Sequence, residues 1–240
     1  MIPAEDVGAL LVETADTAAE GCDTVGFLRT VAANVALISG AEAVGIRLDD
    51  GIGLSHVASS NQDGRLLELL QLALGEGPSL NCFKTGADVV ETDLSSPAVP
   101  WVRFPEQALE AGFRSVHVLP MSLRGQTVGT VGIYGTGATA LDDVELVVLR
   151  TMVDLATIRL LQDRETARAR VLTDQLQAAL TSRIVIEQAK GVIAAVHGVD
   201  IDRSFDLLRR GARARGLRLT DVAAAIVADP ASAAGWSSTV

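Results

Sequence analysis

LDDVELVVLRTMVDLATIRLLQDRETARARVLTDQLQAALTSRIVIEQAKGVIAAVHG, residues 141–198, decides how the chain is organised. Acids open the stretch, as a helix macrodipole prefers. Val144, Val147, Val148, Met152, Leu155 and Ile158 then recur at helical spacing on one side. From Asp142 no glycine or proline interrupts the pattern until Gly191. One long helix, or two nearly coaxial ones, is expected, and a helix over 142–188 would be roughly 70 Å long. That exceeds any small domain, so its middle needs a partner, and a second copy of the chain is the simplest. Leu172, Leu176, Ala179, Ile186, Ala189, Ile193 and Val196 fall at heptad gaps, with Arg183 in the vacant place.

Upstream, the periodicity predicts helices over 4–20 and 24–38, the second stopped by Gly40. AEAVGIRLDD and LSHVASS flank a Gly-rich turn and read as a hairpin. RLLELLQLAL is a short amphipathic helix ended by Gly75, GEGPSLNCFKTG opens into one or two helical turns, and ADVVETDL is an edge strand. After a proline-punctuated stretch around Trp101, FRSVHVLPMSLRG and QTVGTVGIYG form a second hairpin joined at Arg124 and Gly125. Gly129 and Gly132 thin its second strand, the mark of a close approach to the backbone. Downstream, DIDRSFDLLRRGARARG is a helix with Asp200 or Asp202 as N-cap and Gly216 as terminator. LTDVAAAIVADP follows, capped by Thr220 and closed by Pro230, and the tail 231–240 has no period and is expected to be flexible.

The formal charge of -10 conceals an asymmetry. Residues 1–160 hold nine Lys/Arg against 21 Asp/Glu, whereas 161–240 hold 11 against nine. Residues 203–218 carry six arginines and one acid, Asp206. This divides the chain into an acidic module and a basic binding module, although a charge run is also what a solvated helix face looks like. Two cysteines, Cys22 and Cys82, make no disulfide framework, and no Cys/His spacing suits zinc. The acidic N-terminus is unlike a secretory signal and no apolar run is long enough to span a membrane, so a cytoplasmic protein with no membrane partner is expected. Walker, dinucleotide and nucleophile-elbow motifs are missing, and nothing local to Cys82 supplies a base. The chain reads as a non-enzyme without a metal or cofactor.

GEGPSLNCFKTGADVVETDLSS, a tryptophan shortly after it and EAGFRSVHVLPMSLRGQTVGTVGIYG resemble the GAF domain, a small-molecule sensory module. The resemblance implies an α+β fold, an antiparallel sheet flanked by helices, with a ligand cavity between the sheet and the loops covering it. Many relatives have cysteine where this chain has Ser79, and no bilin attachment motif is visible. Cys82, Trp101 and His117 are the candidate ligand-binding residues, for an unidentified small-molecule effector.

QLQAALTSRIVIEQAKGVIAAVHGVDIDRSFDLLRRGARARGLRLTDVAAAIV resembles the ANTAR domain, an RNA-binding antitermination module. The likeness includes Ser182-Arg183, the IEQAKG run, Phe205, Leu208-Arg209, Ala212 and Val222-Ala223. It implies an all-α three-helix fold that binds paired RNA stem-loops in a leader transcript. Arg183, Lys190, Arg209, Arg213 and Arg215 supply cations for phosphates, and Gln188 is a neutral donor and acceptor for loop bases. Arg209 and Arg213 are four apart and share a helix face. Arg183 also lies on the heptad seam, where it can set register. The expected organisation is a GAF-like sensor over 1–160, a connecting helix over 161–173, an ANTAR domain over 174–230 and a tail over 231–240. The expected function is a ligand-responsive, homodimeric antitermination regulator. The competing reading is an acidic dimeric sensor whose C-terminal helices dock a protein partner without RNA binding.

Overall fold

The computed structural model describes residue 8 and residues 23–99, 101–137 and 141–235. Apart from residue 8, the helix expected over 4–20 lies outside these, as do Cys22 and the last five residues of the tail. The chain divides into two compact units, Met1–Arg164 and Glu165–Val240.

The first unit is built on a five-stranded antiparallel sheet of order β2-β1-β5-β4-β3. Helix α1, Thr24–Ser39, is capped by the Asp23 side chain and stopped by left-handed Gly40. β1, Ala43–Asp49, and β2, Leu54–Ser59, form the first hairpin, with a bulge that makes Arg47 the partner of His56. Next come α2, Gln62–Leu74, α3, Pro78–Thr85, and β3, Val89–Glu91, at the sheet edge. The proline-punctuated stretch ends in a helix that the sequence did not announce, α4, Phe104–Glu110, whose Pro105 sits in the first turn where no helical N–H is required. β4, Ser115–Leu123, and β5, Gln126–Gly135, close the second hairpin through Arg124 and Gly125, both at positive φ as a tight two-residue turn demands.

Strand alternation gives the sheet two buried faces. One packs Val44, Ile46, Val131 and Ile133 against α1 and the start of α5, Asp143–His197. The other packs Ala43, Val116, Val118 and Tyr134 against Leu67, Cys82, Trp101 and Phe104. Helix α5 is continuous, and the stripe it buries in the first unit is Leu149, Met152, Val153, Ala156 and Leu160. The expected stripe is corrected here: Val144, Val147, Leu155 and Ile158 are exposed. Apolar residues occupy more than one side of the helix, and the sheet takes the side led by Leu149.

The second unit comprises the rest of α5 with α6, Ile201–Arg215, and α7, Leu219–Ala228. Asp200 caps α6, its carboxylate accepting from Arg203 N at 2.7 Å, and Gly216 ends it. Thr220 is not the cap of α7; Arg218 holds that position without a side-chain hydrogen bond. Ala189, Ile193, Leu207, Leu208, Ala212, Val222, Ala223 and Ile226 form the core. The heptad seam is therefore corrected beyond Arg183, because α6 and α7 claim Ala189 and Ile193, whereas Leu172 and Leu176 stay exposed. Pro230–Gly235 forms a 3-10 turn where flexible chain was expected: Ala233 is buried and its carbonyl meets His197 Nε2 at 2.8 Å.

Candidate functional site

Two regions of the first unit hold polar groups away from water. On the α2 side, Arg47 and Glu68 are wholly buried, with Nε 3.6 Å from Oε2. Tyr134 Oη donates to Glu68 Oε1 at 2.6 Å, Ser79 Oγ donates to it at 3.1 Å, and Gln71 Nε2 donates to Tyr134 Oη at 2.7 Å. Burial pushes the Glu68 carboxyl up, opposed by Arg47, Tyr134 and Ser79. Glu68 needs a pit in the sheet, and register partners Gly45 and Gly132 make it: a Cβ on Gly132 would stand 2.6 Å from Glu68 Oε1. The close approach expected at Gly132 is thus made by a carboxylate.

Cys82 and Trp101 come together in the same core cluster. The Cys82 thiol donates to Val118 O at 3.7 Å, and burial pushes its pKa up to about 12, which removes it as a thiolate nucleophile. Trp101 stacks edge-on to Phe104 with centroids 5.9 Å apart. His117 is not brought to them. It pairs with Ile133 on the α5 face, its Nε2 3.4 Å from Asp88 Oδ2, and Asp88 also takes Arg150 of α5. Burial holds His117 below the usual imidazole range, with Asp88 acting the other way. His117 lines a cavity of about 460 Å³ together with Ser39, Glu42, Ser115, Thr136 and Glu145.

In the second unit Arg183, Gln188, Arg209, Arg213 and Arg215 are all exposed. Lys190 is more confined: Nζ bonds Glu187 at 2.8 and 2.9 Å and stands 5.8 Å from the centroid of Phe205. Phe205, Arg209 and Arg213 follow one another at four-residue steps on α6, so Lys190 is brought to the start of that row. Arg215 lies about 200° around the helix from Arg213 and bonds Gly211 O at 3.1 Å, outside the row. Gln188 lies about 140° from Arg183 on α5, so these two do not share a face.

The GAF domain family model matches residues 5–160 and the ANTAR domain family model matches residues 174–227. The chain belongs to the GAF family and carries an ANTAR domain. Its GAF unit has the fold of solved GAF structures. The GAF domain of a phosphoenolpyruvate-protein phosphotransferase from Coxiella burnetii aligns with a TM-score of 0.57 at 14% identity, over 70% of this chain and 99% of that one. The free methionine-R-sulfoxide reductase of Neisseria meningitidis, solved with its substrate, aligns at 0.53 and 19% identity, over 69% and 96%. At these identities the likeness is one of fold. The comparison with curated proteins gave no match. GAF and ANTAR units are sensory and regulatory modules. Among the described residues no helix is long and apolar enough to cross a membrane, and no group of His, Cys, Asp and Glu is placed to hold a metal.

Sequence reading missed the GAF unit's Arg47–Glu68 pair and the half-exposed placement of Phe205 in the ANTAR unit. The available signals were an arginine inside an otherwise apolar strand, a glutamate among leucines, and an aromatic one helical turn before Arg209.

Proposed function

We propose that the chain is a cytoplasmic transcription antitermination regulator, homodimeric and responsive to a small molecule held by its GAF unit. The ANTAR unit binds paired stem-loops in leader transcripts and disfavours the terminator hairpin. The observation that carries this reading is the row Lys190–Phe205–Arg209–Arg213, in which two exposed guanidiniums continue the helix face from a partly buried ring carrying a cation. Cations of this kind replace counterions around phosphates, and a ring face accepts an unstacked loop base. Arg183 adds charge on α5, and Gln188 and Arg215 serve neighbouring phosphates or bases.

Homodimer formation is supported by α5. Residues 165–181 are helical and exposed throughout, and an isolated helix of that length is marginal in water. Leu172, Leu176 and Leu180 are 57%, 62% and 60% exposed, an apolar surface suited to the same segment of a second copy.

The test is titration of the full chain onto an RNA bearing two stem-loops across a series of salt concentrations. RNA binding predicts that log affinity falls with log salt by about 0.7 for each phosphate engaged at single-stranded positions. Absence of binding at low salt, or a flat dependence, returns the helices to the role of a protein dock.

A further inference from the structure

Three adjacent strands of the GAF unit place one row of polar side chains on the same face of the sheet. His56 of β2 pairs with Arg47 of β1, and Arg47 pairs with Thr130 of β5. Arg47 and Thr130 are wholly buried. Arg47 Nε and Nη1, His56 Nε2 and Thr130 Oγ1 are all buried without a hydrogen-bond partner among the described residues. Leaving such groups unpaired is costly, and more so for a charged one.

Glu68 balances the charge of Arg47 without satisfying its donors. The 3.6 Å separation from Nε is too long for a hydrogen bond, and both oxygens are committed: Oε1 to Tyr134 and Ser79, Oε2 to Gln71 at 3.4 Å. Arg47 makes one hydrogen bond, from Nη2 to Leu54 O at 3.3 Å. The unpartnered atoms are donors, or in the case of His56 Nε2 a donor in one tautomer. An anion accepts from all of them and brings no hydrogen that needs an acceptor of its own. Burial holds the His56 imidazole low, and the positive charges of Arg65 and Arg47 act in the same direction.

We propose that the His56–Arg47–Thr130 row is a binding site for a small anionic group, either a free halide or the carboxylate of a small organic acid. The site goes beyond the antitermination reading and does not depend on it. Arg47 supplies the two unpartnered guanidinium donors, Nε and Nη1, and Thr130 and His56 extend the donor set across the neighbouring strands.

The full chain, prepared without chloride, is crystallised and soaked in sodium bromide, and its thermal unfolding is titrated with bromide, formate and acetate. An anomalous bromide peak within hydrogen-bond distance of Arg47 Nε and Thr130 Oγ1 is expected, with a saturable rise in melting temperature. Thr130→Val should raise the half-saturating concentration about tenfold, the worth of one hydrogen bond to a charged group. Thr130→Ser, which keeps the hydroxyl, should retain the response. A response to bromide alone identifies a free inorganic ion, and a response to formate and acetate identifies a carboxylate ligand. No peak at the row, together with identical salt responses in wild type and Thr130→Val, would assign the space to water and overturn the proposal. RNA takes no part in these measurements, so their failure leaves the antitermination reading standing.

Discussion

The GAF unit holds the Arg47–Glu68 pair inside and the ANTAR unit holds the Arg218–Asp221 pair outside, and that contrast separates two uses of charge. Arg47 and Glu68 are both 0% exposed, whereas Arg218 and Asp221 are 84% and 47% exposed in a two-pronged contact at 2.9 and 3.2 Å. A buried charge is desolvated whether or not its partners are in place, so it holds the surrounding structure to one arrangement. An exposed charge keeps its water and counterions and can exchange them for a polyanion. The largest expected effect tests this difference. Glu68→Ala strands Arg47 in the interior and should destabilise the GAF unit by about 3–5 kcal/mol in denaturant unfolding. Arg218→Ala should leave unfolding unchanged. Equal effects from the two variants would erase the distinction.

A second contrast lies along α5 itself, between a segment that packs and one that does not. Leu149, Met152 and Ala156 are wholly buried in the GAF unit, while Leu172, Leu176 and Leu180 have no core to enter. Replacing both Leu172 and Leu176 by Asp should convert a dimer into a monomer in sedimentation while leaving the GAF unit's unfolding unaltered. Wild type that sediments as a monomer would remove the second copy from the proposal. Smaller in energy is the double variant Arg209→Ala and Arg213→Ala. Alanine preserves the helix, so stability should hold within about 0.5 kcal/mol. RNA affinity should fall, and the salt slope should flatten by about 1.4, two phosphates' worth. Unchanged affinity and slope would show that this row does not meet RNA.

Most of the framework was legible because the deciding signals are local. Gly40, Gly75 and Gly216 end their helices at φ between 64° and 68°, and the Arg124–Gly125 turn sets the second hairpin. The misses share a different cause. Whether Val147 or Leu149 of α5 turns inward depends on which stripe the sheet covers. His117 faces away from Trp101 because strand side chains alternate, and one position separates it from inward-facing Val118. Arg47 in a strand and Glu68 in a helix each look like solvent-facing charges until the fold places them 3.6 Å apart. The cations of the ANTAR unit could be counted from sequence. Which of them align could be read for Arg209 and Arg213 from their spacing, whereas the approach of Lys190 to Phe205 required tertiary contact.

The smallest expected effect returns to the contrast between inner and outer carboxylates. Glu76 is an exposed acid that acts through the backbone: Oε1 accepts from Arg103 N at 2.5 Å and Phe104 N at 2.9 Å, and Oε2 accepts from Val102 N at 3.2 Å. These N–H groups hold its carboxyl below the usual range of 4.5, with the Arg103 contact contributing most. A depressed folded pKa means that the unfolded chain binds the proton more tightly. The stabilisation is therefore present above about pH 4.5 and is lost as pH falls through the lower folded value. Because these bonds fasten the start of α4 beside Trp101, acidification should speed amide exchange at Val102, Arg103 and Phe104 before it affects the sheet. Glu76→Gln, which cannot ionise, should show the fast exchange already at neutral pH and no further acid step there. Persistence of that step in the variant would move its origin to another carboxylate.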